Sequence, residues 1–279
     1  MVPPILLKRG RFMDEITRAH GELREMDALA QGNSPVHRLH PLSKLLVTVF
    51  YIAIVVSFPK YDFSALAVMV LYPVVLFQAA GISIGLCFYR LRIVLPLVCA
   101  VGLVNPFLDH TPLLRLGSIM ITGGWLSMVT LMLKGVFSLM ASFLLIATTS
   151  MDSLCAALRR LHVPGILVTL LLLTYRYIGV LLEQVSVMND AYRLRAPGQK
   201  GLHISAWSSF LGQLLLRSMD RAEELYSSMV LRGFRGEYHY AQLEGVSGKD
   251  WLYVLLCAVL FAAARWINLP ALLGSVFVR

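Results

Sequence analysis

Two stretches set arginines at the ends of long runs of periodic apolar residues: Asp190-Ala-Tyr-Arg193-Leu-Arg195-Ala196-Pro-Gly198 and Met229-Val-Leu-Arg232-Gly233-Phe234-Arg235-Gly236. A guanidinium is a planar fork of donors that pairs bidentately with a carboxylate, and a neighbouring glycine lets a partner's surface approach the backbone. Such ends suit docking into an acidic groove on another protein. The same residues also suit helix capping, with glycine in the left-handed turn and a cation against the negative end of the helix dipole, together a few tenths to about 1 kcal/mol. Capping accounts for one arginine per helix but not for the repetition on adjacent helices. From the residues alone both accounts are open.

Other chemistry is sparse. Gly245-Val-Ser-Gly248-Lys249-Asp250 has a Gly-Lys pair without the spacing or the closing hydroxyl of a phosphate loop, so nucleotide hydrolysis is not expected. The seven histidines include one close pair, His37 and His40, with no third ligand nearby in sequence. Cys87, Cys99, Cys155 and Cys257 form no CxxC pair, which leaves neither a zinc site nor a disulfide framework. No GxSxG or HExxH pattern occurs. No catalytic, cofactor-binding or metal-ligating residue is therefore assigned. Charges inside apolar spans are candidate functional groups, so a second class of reading stays open: a stand-alone membrane enzyme or ion-coupled transporter with a site around Lys134, Asp109 and Arg176. Lys134 equally suits snorkelling or a structural contact.

The elements that must position these residues belong to a membrane protein. The chain has 279 residues, is 57% hydrophobic and only 15% charged, and has a mean hydropathy of +0.70. Residues 1–40 are polar, lack the ordered regions of a signal peptide, and read as a retained leader. Residues 41–149 hold four apolar spans: Leu42 to Phe58, Phe63 to Ala80, Ile93 to Leu108 and Gly124 to Thr148. Gly81 to Arg92 is a connection, and Pro96 and Asn105-Pro106 kink or end the third span. Residues 150–249 change texture to amphipathic helices, and residues 250–279 form a last span and tail.

Within the amphipathic region Pro164 opens a helix to about Arg195 that is apolar in its first half. The next helix repeats Trp207, Leu211, Leu214, Ser218, Ala222, Leu225 and Met229 on one face, with Arg217, Asp220, Arg221, Glu223 and Glu224 off it. The fold class is thus an all-α integral membrane protein, with about five transmembrane helices and long amphipathic helices in the cytoplasm. The net charge of +9 is an orientation signal rather than a sign of nucleic-acid binding. Of the 25 Lys and Arg residues, all but Lys60, Arg115, Lys134, Arg265 and Arg279 share one side under this topology. That side, with the N-terminus, is placed in the cytoplasm.

Leu171-Leu-Leu-Thr174-Tyr175-Arg176-Tyr177-Ile-Gly-Val-Leu-Leu-Glu183, Tyr192-Arg-Leu-Arg195, Leu216-Arg217-Ser-Met-Asp-Arg221-Ala222-Glu223 and the stretch ending at Gly236 resemble, in order, the transmembrane T component of energy-coupling factor transporters. The nearest likeness is to the cobalt-transport CbiQ members, over about His37 to Gly236. The resemblance implies a non-catalytic scaffold in a bacterial or archaeal cytoplasmic membrane. Its cytoplasmic coupling helices would carry two short arginine motifs, each docking on one of two ABC-type, CbiO-like ATPase subunits. ATP and magnesium would be bound by those partners and not by this chain. Their turnover would shift a substrate-capturing S component, CbiM-like with a small CbiN-like subunit, for cobalt first and nickel second.

The positions that match the docking motifs are Arg195 with Ala196, and Arg232 with Gly233; Arg235 is a flanking charge. Two departures stand out. Arg195-Ala196-Pro197-Gly198 replaces an Ala-Arg-Gly pattern, which makes Arg193 a rival for Arg195. His40-Pro41-Leu42-Ser43-Lys44 keeps the proline and lysine of an Asp-Pro-Arg-x-Lys pattern and loses its acid and arginine.

Overall fold

Long apolar runs that satisfy their own backbone hydrogen bonds can only be helices in a bilayer, and the computed structural model is helical almost throughout. It describes residues 11–59, 63–108, 112–116, 119–196, 204–236 and 245–266. In chain order these form α1 (Arg11–Ala30), α2 (Pro41–Ser57), α3 (Phe63–Val68), α4 (Leu71–Ala80), α5 (Ile84–Leu91), α6 (Leu95–Leu103) and α7 (Asn105–Leu108). A short antiparallel hairpin follows, β1 (Pro112–Leu116) with β2 (Ile119–Thr122). Then come α8 (Gly123–Thr148), α9 (Met151–Arg160), α10 (Gly165–Arg195), α11 (Ile204–Leu231) and α12 (Gly248–Trp266). The class is the expected all-α membrane protein, and the hairpin is a local addition to it.

Among the described residues, α8 and α10 are by themselves long and apolar enough to cross a membrane, and α2 is a shorter apolar helix. The third expected span is broken where its prolines predict. Pro96 sits in the first turn of α6, and α6 ends just before Asn105-Pro106 opens α7. Gly81 to Arg92, expected as a connection, instead contains a helix, α5. Gly81 adopts φ +70° to end α4, and Ser83 Oγ accepts the Leu86 N–H to start α5.

The chain divides into two compact units. One comprises residues 29–150 and 243–279. Its core joins α2, α3, α8 and α12 through Val47, Tyr51, Val55, Leu66, Phe137 and Phe261. Tyr51, Tyr72 and Phe261 pack tilted and edge-to-face, with ring centroids 4.6–5.3 Å apart. The other unit comprises residues 1–28 and 151–242 and holds α1, α9, α10 and α11. Its small core is Cys155, Val168 and Leu172, where α9 meets the start of α10.

Candidate functional site: the arginines at the ends of α10 and α11

In the second unit α10 and α11 pack against each other and leave an apolar groove of about 450 Å³. Leu173, Tyr177, Leu225, Tyr226, Met229 and Phe234 are among its lining residues. Of the face expected to be apolar, Trp207, Leu214, Ser218, Leu225 and Met229 are half-buried, whereas Leu211 and Ala222 are exposed; buried Phe210, off that face in the expected pattern, also packs. Arg217, Asp220, Arg221, Glu223 and Glu224 are all exposed, as a solvated face requires.

At the end of α11 the sequence builds a specific turn. Gly233 adopts φ +85°, a conformation that costs an L side chain about 1–2 kcal/mol. This lets the Phe234 N–H reach back to the Met229 carbonyl at 2.9 Å and the Gly233 N–H to Val230 at 2.9 Å. Together they are the paired bonds of a Schellman cap, with Phe234 and Met229 in the positions whose side chains meet. Both line the groove. Gly236 turns the chain again at φ +89°. Phe234 is therefore drawn inward while Arg232 and Arg235, on either side of it, stay exposed. Capping explains Gly233, and it leaves both guanidiniums facing solvent.

The end of α10 is built differently. Ala196 closes it with an N–H to the Tyr192 carbonyl at 3.0 Å and φ −126°, with no left-handed residue at that position. Arg195 is exposed and Arg193 half-buried. Pro197 and Gly198 lie outside the described residues.

Three residues stood for the enzyme or ion-coupled alternative. Lys134 donates to the carbonyls of Val56 at 3.1 Å and Phe58 at 2.5 Å, closing the C-terminal end of α2. Arg176 lies 3.8 Å from Asp152 in an exposed pair. Asp109 is outside the described residues. Lys134 and Arg176 thus each have a local partner, in different units. Among the described residues no group of three or more His, Cys, Asp and Glu is placed to hold a metal ion.

The departure at His40 also has a structural counterpart. His40 Nδ1 accepts the Leu42 N–H at 3.1 Å, so the imidazole performs the N-cap role usually given to a short polar side chain. A carboxylate comes from elsewhere: Asp250, in the first turn of α12, accepts the His40 N–H at 3.0 Å and the Ser247 N–H at 2.9 Å. Buried Lys44 reaches the Thr148 carbonyl at the end of α8 at 2.6 Å. The retained lysine and the substituted histidine tie together the ends of three helices.

Sequence reasoning missed a second apolar stripe on α11. Leu215, Met219, Tyr226 and Val230 are uncovered, with Leu215 61% and Tyr226 63% exposed, and Leu211 of the expected face is uncovered beside them. Their recurrence at steps of four and seven is the signal that reveals it.

The family model described as "Cobalt transport protein", CbiQ, matches residues 32–241. The chain belongs to the CbiQ family. Among CbiQ-like relatives, the cobalt transport protein CbiQ of Rhodobacter capsulatus is 29% identical over 209 residues, 72% of this chain and 81% of its own. The energy-coupling factor transporter transmembrane protein EcfT of Thermosediminibacter oceani is 26% identical over 219 residues, 74% and 82%. The nickel permease LarQ of Lactiplantibacillus plantarum is 31% identical over 105 residues. That match and one to a Methanocaldococcus jannaschii protein span only 38% and 40% of those relatives' lengths. The CbiQ match covers α10, α11 and both arginine-bearing ends, and it begins after α1. This is a membrane transporter component of the energy-coupling factor type.

Proposed function

We propose that the chain is the non-catalytic transmembrane scaffold of an ATP-driven importer for cobalt, with nickel as the second choice of cargo. Arg232 with Gly233, and Arg195 with Ala196, dock on two ABC-type, CbiO-like ATPase subunits that bind ATP and magnesium. Arg235 flanks the first contact, and Arg193 is secondary to Arg195 because it is less exposed. The coupling helices then move a CbiM-like S component, with its CbiN-like partner, in a bacterial or archaeal cytoplasmic membrane. The N-terminus and the polar parts of residues 150–249 face the cytoplasm, with the apolar first half of α10 reaching into the bilayer.

The observation that supports docking is the turn after α11. Its anchor, Phe234, is inward while its two guanidiniums are outward, an arrangement suited to reading carboxylates on another protein. The uncovered stripe of α11 offers apolar area for a second partner. The names of the relatives support the cargo: one is a cobalt transport protein and another a nickel permease.

Arg232→Glu tests the reading. It should abolish metal uptake by the assembled transporter and strip the ATPase from the purified complex, while the chain remains folded in the membrane. Truncating one partner of a buried charge pair costs about 2–5 kcal/mol, enough to disrupt a modest interface. Uptake that survives the charge reversal defeats the docking assignment. Purified alone, the chain should neither bind cobalt tightly nor hydrolyse ATP, and either activity would restore the enzyme or ion-coupled alternative.

A further inference from the structure

The stretch Gly81-Ile-Ser83-Ile84-Gly-Leu-Cys87-Phe88-Tyr89-Arg90-Leu91-Arg92-Ile93-Val94 lies outside the unit that holds α10 and α11 and contains no acidic residue. Gly81 and Ile82 close the preceding helix with N–H bonds of 3.1 Å to Gln78 and Phe77, and Ser83 then starts α5. The result is a sharp corner. α5 leaves the apolar helical segment Leu66–Ala80 at 114°. The two helices have the length and apolarity of one membrane segment only when taken together, bent at this corner, and a short amphipathic helix at such a bend suits the membrane interface.

The two sides of α5 differ in the way that interface demands. Cys87 and Leu91 are buried, while Phe88, Tyr89, Arg92 and Ile93 are exposed, Tyr89 at 59% and Ile93 at 80%. The Arg92 guanidinium carbon lies 4.3 Å from the centre of the Tyr89 ring. This contact fixes the cation beside the aromatic ring and uses none of its N–H donors in a hydrogen bond. Among the described residues no carboxylate pairs with Arg92.

We propose that α5 and the turn after it form a docking surface for anionic glycerophospholipid, with Arg92 taking the headgroup phosphate and Phe88, Tyr89 and Ile93 at the boundary with the acyl chains. The partner follows from the combination. Aromatic and aliphatic side chains exposed beside an unpaired cation, on a short helix at the corner of an apolar segment, match a lipid surface that offers hydrocarbon and phosphate at adjacent depths. The cation makes that surface selective for negative lipid.

The test uses the full-length protein with a photo-crosslinking residue at Phe88, in bilayers of equal parts phosphatidylglycerol and phosphatidylcholine. Crosslinks should favour phosphatidylglycerol. Arg92→Glu should reduce that preference by about fivefold, the equivalent of about 1 kcal/mol per basic residue at a membrane surface. Arg92→Lys should preserve it, and Arg92→Gln should show the loss if the glutamate variant fails to insert. Capture of the two lipids in equal amounts, or a preference unchanged in the glutamate or glutamine variant, overturns the proposal. So does crosslinking to a neighbouring protein rather than lipid when the assembled transporter is probed.

Discussion

Asp250 accepts two backbone N–H groups at once, from His40 and Ser247, and is almost wholly buried while doing so. An unsatisfied buried donor costs about 1–3 kcal/mol, so Asp250→Ala, which orphans both, should destabilise the protein markedly. Asp250→Asn keeps one good acceptor and should lose less. Thermal unfolding of the two variants in detergent ranks them, and an asparagine variant as unstable as the alanine one would show that packing, not these bonds, matters. This contact was not legible in the sequence. Asp250 stood there only as the end of a failed phosphate-loop match and His40 as one of a histidine pair and the residue in place of a motif's acid, and the two are separated by 210 positions. The arginine ends were legible because a cap, a cation and a helix boundary are all local in the chain. What locality could not show is that the two ends differ. One is a glycine-built turn anchored by Phe234, and the other is an ordinary helix end at Ala196.

Elements pack closely where the sequence supplies glycine. A side-chain carbon added at Gly135 of α8 would stand 2.5 Å from Val98 Cγ1 of α6, a distance real side chains do not adopt. Small residues at such crossings let helices approach in a membrane, where no hydrophobic driving force pulls them together. Gly135→Ala should therefore cost about 1–3 kcal/mol through overpacking. Adding Val98→Ala should return much of it, and a double-mutant cycle on unfolding midpoints checks this, because purely additive losses would place the damage elsewhere. Element boundaries from Pro, Gly and Ser were mostly readable in advance, including the break before Pro106. α5 was not, because its eight residues are too short for periodicity to separate a helix from a connection, and only the paired caps at Gly81 and Ser83 define it.

At the scale of the whole molecule the chain passes between its two units after residues 28, 150 and 242, so the unit that holds α10 and α11 is assembled from separate stretches. α1 belongs to it: Tyr175 of α10 donates to Asp27 at 2.7 Å. A leader read as a polar preface is structurally part of the same unit as α10, a fact that composition cannot convey. The distribution of basic residues motivates the proposed cytoplasmic placement of this unit's arginine-bearing ends, which has a direct check. With half-buried Cys99 replaced by serine, a cysteine at exposed Ser228 should react with a membrane-impermeant maleimide in inverted vesicles and not in intact cells. Labelling of intact cells would reverse the topology.

The cap after α11 also has a mechanical meaning. α11 has 28 residues and so measures about 42 Å. Phe234 lines the groove between α10 and α11 together with residues of both helices, so under the proposed docking a load on the Arg232 turn would act at the edge of that groove. A force there would act at one end of a lever of that length, and how much displacement reaches the far end of the helix would depend on how firmly Phe234 holds its place in the groove.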